Sequence, residues 1–465
     1  RVSRGLGDVY KRQNLDYYKP YTLTTTMTFD RGNGEESQVL ADQTLQLDLK
    51  KVELKDFART DLIKYDNQTE VDETRLTAVP QDLTNYYLKL TSADQKTTYL
   101  AVKAIEETTV DGKAVYKVTA AADNLVQRDA QNHFAQTYSY YIEKPKASQA
   151  NVYYDFAELV NAIQANPSGE FRLGQSMSAR HVVPNGKSYI TTEFTGKLLS
   201  DGDKRFAIYD LEHPLFNVIN GGTIKNINFE NVDINRPDQN QIATLGFNLK
   251  NKGLIEDVKV TGSVTGNNDV AGIVNKIDED GKIENVAFIG KLHAAGNKGG
   301  YLAGVVGENW KGVVEKAYVD AEITGNKAKA AGLVYSSQNG GNNHTVGKEG
   351  VLRNSVAKGS IELKEAVQSG GLLGTNWALG TIEDNITMMK VKTGEMVFGH
   401  SDIDADDYFT YSRTKRNYSV EGVSEGKKTF NNSRKIPSIS LAEAEQKIEA
   451  MEITADKFES TKPIE

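Results

Sequence analysis

A peptidase, a metal centre or a general base would draw first on histidine, and the sequence has six: His133, His181, His213, His293, His344 and His400. The nearest two, His181 and His213, are 32 positions apart, and none is followed by Glu. The His-Glu-x-x-His helix of a zinc peptidase is therefore absent from this sequence. Cysteine is absent too, which removes disulfide scaffolds, Cys-ligated zinc, iron–sulfur clusters and thiolate nucleophiles. Gly174-Gln175-Ser176 opens a nucleophile elbow, but Met177-Ser178 does not complete it. Gly299, Gly300, Gly304 and Gly307 imitate a phosphate loop, yet no Lys-Ser/Thr follows. Asp402-Ile403-Asp404-Ala405-Asp406-Asp407 starts like a calcium loop, but Asp407 and Arg413 stand where Gly and Glu are needed. No catalytic, cofactor-binding or metal-binding residue is assigned in this chain.

Carboxylates offer one more route to chemistry. Glu256, Asp257, Glu284 and Glu315 fall at equivalent places of a repeat. A charge repeated once per repeat reads as a solvated stripe; a catalytic site would be confined to two or three repeats. Composition narrows the classes further. The 465 residues carry 55 Lys+Arg against 63 Asp+Glu, with no basic block, which argues against a nucleic-acid footprint. No run of 18 apolar residues occurs, so no transmembrane helix is expected.

The elements that would carry any site are mostly strands. Residues 1–13, RVSRGLGDVYKRQ, share no periodicity with the rest and are set aside as a non-native artefact. Residues 14–148 predict a small β-sandwich-like domain. Leu45, Leu47 and Leu49, then Val52 and Leu54, and again Tyr86, Leu88 and Leu90 alternate with polar residues. Asp111-Gly112 between two strand-like runs predicts a type I′ hairpin. Lys144 to Ala150 reads as a linker broken by Pro145. A helix at 155–165 follows, with Asp155 and Glu158 as a capping box and Phe156, Leu159, Val160 and Ile163 on one face.

Glycine then takes over. Of 40 Gly, 27 lie between Gly221 and Gly394, while none of the nine Pro falls between Pro237 and Pro437. That is the composition of a stacked strand ladder, in which Pro would remove a donor. Gly222-Thr223-Ile224-Lys225-Asn226-Ile227 recurs in register, placing apolar anchors at Ile224, Ile255, Ile283, Val314, Leu352 and Ile382. A second series interleaves with it: Leu245-Gly246-Phe247, Ala271-Gly272-Ile273-Val274, Ala303-Gly304-Val305-Val306, Ala331-Gly332-Leu333-Val334 and Gly371-Leu372-Leu373-Gly374. Two strand motifs per period of about 30 residues predict a parallel β-helix over 149–400, capped by the helix at 155–165. From about Met396 the repeat is expected to fail. Residues 401–465 read as a linker and a C-terminal helix that starts at Ser440, with Leu441, Ala444, Ile448 and Met451 as its apolar stripe.

Gly371-Leu372-Leu373-Gly374 resembles the GLUG motif of bacterial surface β-helices. Asp155 to Gly169, Phe194-Thr195-Gly196-Lys197-Leu198, Ala207-Ile208-Tyr209-Asp210-Leu211, Pro214-Leu215-Phe216, Thr108 to Lys113 and Asn124-Leu125-Val126 are more specific. Together they resemble the zinc-type immunoglobulin A proteases of Gram-positive cocci and their paralogous surface zinc metalloproteases. The resemblance implies a right-handed coil and a non-catalytic recognition or spacer region of a secreted, cell-wall-associated endopeptidase. It also implies zinc in a catalytic domain C-terminal to this chain, and partners that include that domain and a host glycoprotein such as immunoglobulin A. A stand-alone GLUG-type adhesin and a carbohydrate-active β-helix enzyme remain the alternatives.

Overall fold

The computed structural model describes residues 57–67, 69–93, 95–122, 137–338, 350–377, 380–392, 413–426 and 437–461, and gives strands alone at 20–29, 38–48, 52–53 and 125–126. The chain divides into two compact units, 1–144 with 464–465, and 145–463.

The first unit holds a six-stranded antiparallel sheet in the order Thr137–Glu143, Lys113–Ala121, Thr97–Val110, Tyr86–Ser92, Phe57–Asp66, Thr69–Asp72. The period-two pattern does its work here: Tyr86, Leu88 and Leu90 face inward on a cluster with Leu62, Leu100 and Val118. Asp111 and Gly112 take φ of 48° and 78°, the two positive values of a type I′ turn, and Val110 pairs with Lys113 across it. Pro20–Phe29 and Gln38–Asp48 form a separate antiparallel ribbon, and Val52–Glu53 pairs in parallel with Leu125–Val126. Leu49, Leu54 and Asn124 lie outside the described residues.

The second unit is a parallel β-helix. Ile224, Ile255, Ile283, Val314, Leu352 and Ile382 pair one above the next and are fully buried. Each rung sits about 4.8 Å from its neighbour, so an apolar side chain touches its equivalents above and below. Two residues on, every rung turns a corner in the left-handed region: Asn226, Asp257, Asn285, Lys316, Asn354, Asp384 and Arg416 have φ between 49° and 59°. Asn and Asp tolerate that conformation best because their short polar side chains bond locally, which explains their predominance here.

The second motif series marks another corner, leading into a six-stranded parallel sheet of which Val274–Ile277, Val306–Trp310 and Val334–Gln338 are members. Glycine is needed here by close approach. A Cβ on Gly272, Gly304 or Gly332 would lie 2.1, 2.0 or 2.0 Å from the carbonyl oxygen of the next glycine in the stack.

The column runs further than the six anchors at both ends. Phe171 pairs with Leu198 and Leu198 with Ile224 below, while Ile382 pairs with Thr414 above. Within the expected linker, then, residues 413–420 carry strands, and pairing continues past the point at Met396 where the repeat was expected to fail. Arg413–Lys415 and Tyr418–Val420 add a further rung, and Ser438–Ile439 pairs on the latter. This rung escapes periodicity because it has Thr414 for the aliphatic anchor and no glycine before it. What continues is polar: Asn385 Nδ2 donates to Asn417 Oδ1 at 2.9 Å, and Asn417 Nδ2 donates to the Ile382 carbonyl at 2.8 Å. Both asparagines are buried, so stacked amides replace stacked Ile or Val.

Helix α1, Phe156–Ala165, has Asp155 as its N-cap, whose carboxylate accepts from the Glu158 amide at 3.0 Å. Phe156, Leu159, Val160 and Ile163 are fully or almost fully buried in the same core as Phe171 and Leu198. At about 1.5–3 kcal/mol per buried large side chain, this face holds the helix over the first rungs. Helix α2, Leu441–Ala450, is capped by Ser440, but Leu441 is exposed. Ala444, Ile448 and Met451 pack instead with Tyr318, Val356, Ile386 and Val420 on the outside of the coil.

Ile283→Asp is expected to cost about 3–5 kcal/mol, since it leaves an unpaired carboxylate inside the column. Gly304→Ala is expected to cost about 1–3 kcal/mol by overpacking against the Gly332 carbonyl. Thermal melts decide both, and wild-type melting of Ile283→Asp would contradict the buried column.

Candidate functional site

Among the described residues, His213 and His293 bond to different side chains. His213 Nε2 meets the Arg236 guanidinium, and burial first, then that charge, holds its pKa below the ordinary value. His293 Nδ1 lies 2.9 Å from Thr324 Oγ1, and its pKa is lowered by burial and by Lys364. His181 takes a left-handed backbone conformation at φ 65°. His133, His344, His400 and the Asp402–Asp407 run lie outside the described residues. Among the described residues no group of three or more His, Asp or Glu is arranged to hold a metal ion.

The carboxylate stripe is a charge ladder. Lys225 bonds Glu256 at 2.8 Å, Lys282 bonds Glu284 at 2.6 Å and Glu315 at 2.8 Å, and Arg353 bonds Glu315 at 2.6 Å. Lys415 reaches Glu383 at 3.1 Å one rung on. Burial would raise Glu315, but the hydrogen bonds from Lys282 and Arg353 outweigh it and hold the carboxyl below its usual range. Paired from rung to rung, the charges of the stripe add to the register of the ladder.

A different outer face gathers perturbed groups. Asp269, Tyr301 and Lys329 occupy equivalent rung positions, Tyr301 pairing with Lys329 in the ladder. The Tyr301 ring lies over Gly307 and the Tyr335 ring over Gly374, where a Cβ would collide with either ring. The two rings stack at 5.8 Å and 11°. Lys329 lies 5.7 Å from the Tyr335 centroid and Lys276 lies 4.6 Å from that of Trp310. Burial pushes the carboxyls of Asp269 and Glu308 above their usual range; the Tyr301 amide and Lys329 oppose this at Asp269, and Lys276 and Lys329 oppose it at Glu308. Raised carboxylates beside aromatic rings resemble a carbohydrate site, but Tyr301 and Tyr335 are themselves 9 % and 7 % exposed and fill the bend with Ala303 and Ala331. The bend is a second, minor core. Sequence reasoning missed it, although both tyrosines fall beside the glycine motifs, and glycines 307 and 374 are the trace of their rings.

The segment after α2 is the least expected part of the unit. It runs back along the coil, against the direction in which rungs were added. Glu452 lies 3.7 Å from Lys316. The amides of Thr454 and Ala455 donate to Asn285 Oδ1 at 3.0 and 3.2 Å, and Asn285 Nδ2 donates to Thr454 Oγ1 at 2.8 Å. Phe458 lies under the Arg205 guanidinium at 3.5 Å, and its carbonyl accepts from Lys259 Nζ. Ser460 Oγ donates to Glu230 at 2.9 Å, the Thr461 amide donates to the Arg205 carbonyl at 3.1 Å, and Ser176 Oγ donates to the Thr461 carbonyl. None of this has a periodic signature, because a strap is read by side chains on successive rungs and has no repeat of its own.

The pKa of Glu308 generates a prediction with a definite sign. A carboxyl whose folded pKa lies above its unfolded one destabilises the fold once pH passes the unfolded value, and has no such effect below it. Glu308→Gln is therefore expected to raise the melting temperature at pH 8, and the gain is expected to vanish below about pH 4, under the unfolded glutamate pKa. An equal gain at both pH values would contradict the burial-driven shift.

Comparison with known proteins agrees with this architecture. Residues 14–262 match the family model of the M26 IgA1-specific metallo-endopeptidase N-terminal region. Zinc metalloprotease ZmpB of Streptococcus pneumoniae serotype 4 is 53% identical over 449 residues, 96% of this chain and 24% of that protein. Zinc metalloprotease ZmpC of the same organism is 35% identical over 84% of this chain and 21% of its own length. An immunoglobulin A1 protease of Streptococcus sanguinis is 28% identical over 88% of this chain and 22% of its own length. A solved IgA1 protease structure shares the fold with a TM-score of 0.53 at 23% identity, over 89% of this chain and 32% of that one. The chain spans about a quarter of the length of these curated relatives. On this match across more than half its length, the chain belongs to the M26 IgA1-specific metallo-endopeptidase N-terminal region family.

Proposed function

We propose that this chain is the non-catalytic, substrate-recognition region of an extracellular zinc metalloendopeptidase that is secreted or held at the cell wall. The observation that carries this reading is the 53% identity to a zinc metalloprotease along 96% of the chain, in a sequence with no His-Glu-x-x-His. Zinc would be held by a peptidase region beyond this chain, with three protein ligands and an open position for water. Within this chain, the rigid coil offers long outer faces of repeated side chains on which an extended partner can be oriented. The partner is a host glycoprotein of the immunoglobulin A class. Among the described residues no helix is long and apolar enough to cross a membrane.

Exchange of residues 14–461 between the full-length protein and an immunoglobulin A1 protease, with the downstream regions left in place, tests the role. The expected outcome is that substrate preference moves with the exchanged region while the peptide bond chemistry, and its inhibition by chelators, stays with the downstream part. Preference that stays wholly with the downstream part would contradict a recognition role.

A further inference from the structure

We propose that the β-helix is a lateral arm, doubled back on itself, and that the downstream region of the protein docks at the first rungs of the coil, where the strap ends. The chain enters the coil through Val152–Tyr153, which pairs with Arg172–Leu173 on the first rung. It climbs to Tyr418–Val420 and Ser438–Ile439, turns through α2, and comes back outside the coil. Between Thr454, bonded to Asn285, and Thr461, bonded to Arg205 and Ser176, the strap passes the rungs linked by Val260–Phe288, Phe229–Val260, Ile208–Phe229 and Met177–Ile208. Four rungs at about 4.8 Å make about 19 Å, which seven residues spanning at most about 3.3 Å each can cover. Three of those residues, Ala455–Lys457, form a 3-10 turn that rises about 2 Å per residue, so the strap is just long enough, and its side chains are committed along the way.

These anchors are built, since each uses a group with few other partners. The Arg205 guanidinium donates to the Asp257 carbonyl at 2.6 Å and stacks on Phe458. Asn285 spends its side chain on Thr454, Ala455 and Asp257. A rod whose two ends each joined other parts of the protein would hold those parts apart by its length. With its exit beside its first rung, the coil instead delivers the following chain to that end and leaves its far rungs clear of it. The proposal deepens the recognition reading and rests on it only in taking a peptidase region to follow this chain, as the longer relatives have further length to accommodate one.

Cross-linking of the full-length protein with a lysine-reactive reagent, read by mass spectrometry, tests this. Lys187, Lys197 and Lys204 mark the first rungs, and Lys390, Lys392 and Lys415 mark the last; all are at least half exposed or lie in exposed loops. Lysines beyond residue 465 are expected to link several-fold more often to the first three than to the last three. Links that favour the last three, or that are evenly divided, would overturn the proposal. In a second arm, Phe458→Ser combined with Asn285→Ala loosens the strap, and the preference for the first three is expected to fall; an unchanged map would show that the strap does not set the docking position. The wild-type map stands alone if the double variant folds poorly. It reads position and not substrate choice, so it can succeed where the domain exchange fails.

Discussion

A strand in a parallel ladder has its backbone donors and acceptors satisfied only by the rungs above and below, and this requirement governs the second unit. It forces every rung into the same register, because a slip of one residue would turn the Ile224–Ile382 column out to solvent. It forces the corners to recur at fixed places, so left-handed Asn and Asp stack on one edge and glycines on another. It also leaves two open ends, which would template pairing with other chains. Helix α1 covers the first end, and the paired strands Tyr418–Val420 and Ser438–Ile439, followed by α2, complete the other.

Regularity of this kind shapes the charges on the outer faces of the described rungs. A side chain on one rung meets its equivalents, so charges either neutralise along the ladder, as in Lys282–Glu315–Arg353, or are pressed toward neutrality by burial, as at Asp269 and Glu308. Tyr301 and Tyr335 fill the outer bend with their own stacked rings.

Much of this was legible in the sequence where a physical requirement repeats. Ile224 and its equivalents, the Asp155 cap and the Asp111-Gly112 turn each answer a local rule that holds without tertiary context. Legibility ended where a requirement was met once or by unlike residues. Thr414 pairs with Ile382 where the earlier rungs pair Ile, Val or Leu, and Asn417 bonds Asn385 through its amide, so no apolar period marks that rung. Tyr301 and Tyr335 answer to glycines six residues later on the same rung or a rung away in the stack, a relation that exists only after the coil closes. The strap has no period at all; its residues are chosen rung by rung by Asn285, Lys259, Arg205 and Ser176.

The return of the chain along its own coil is measured directly by amide hydrogen exchange. The amides of Thr454, Ala455 and Thr461 donate to Asn285 Oδ1 and the Arg205 carbonyl, whereas an undocked tail would leave them to water. In the full-length protein they are expected to exchange orders of magnitude more slowly than an unstructured peptide, and to lose that protection selectively in Asn285→Ala while the rungs around Ile255 and Ile283 keep theirs. Exchange of residues 454–461 at the rate of a free peptide in the wild-type protein would contradict the return strap, and with it the reading of the coil as an arm.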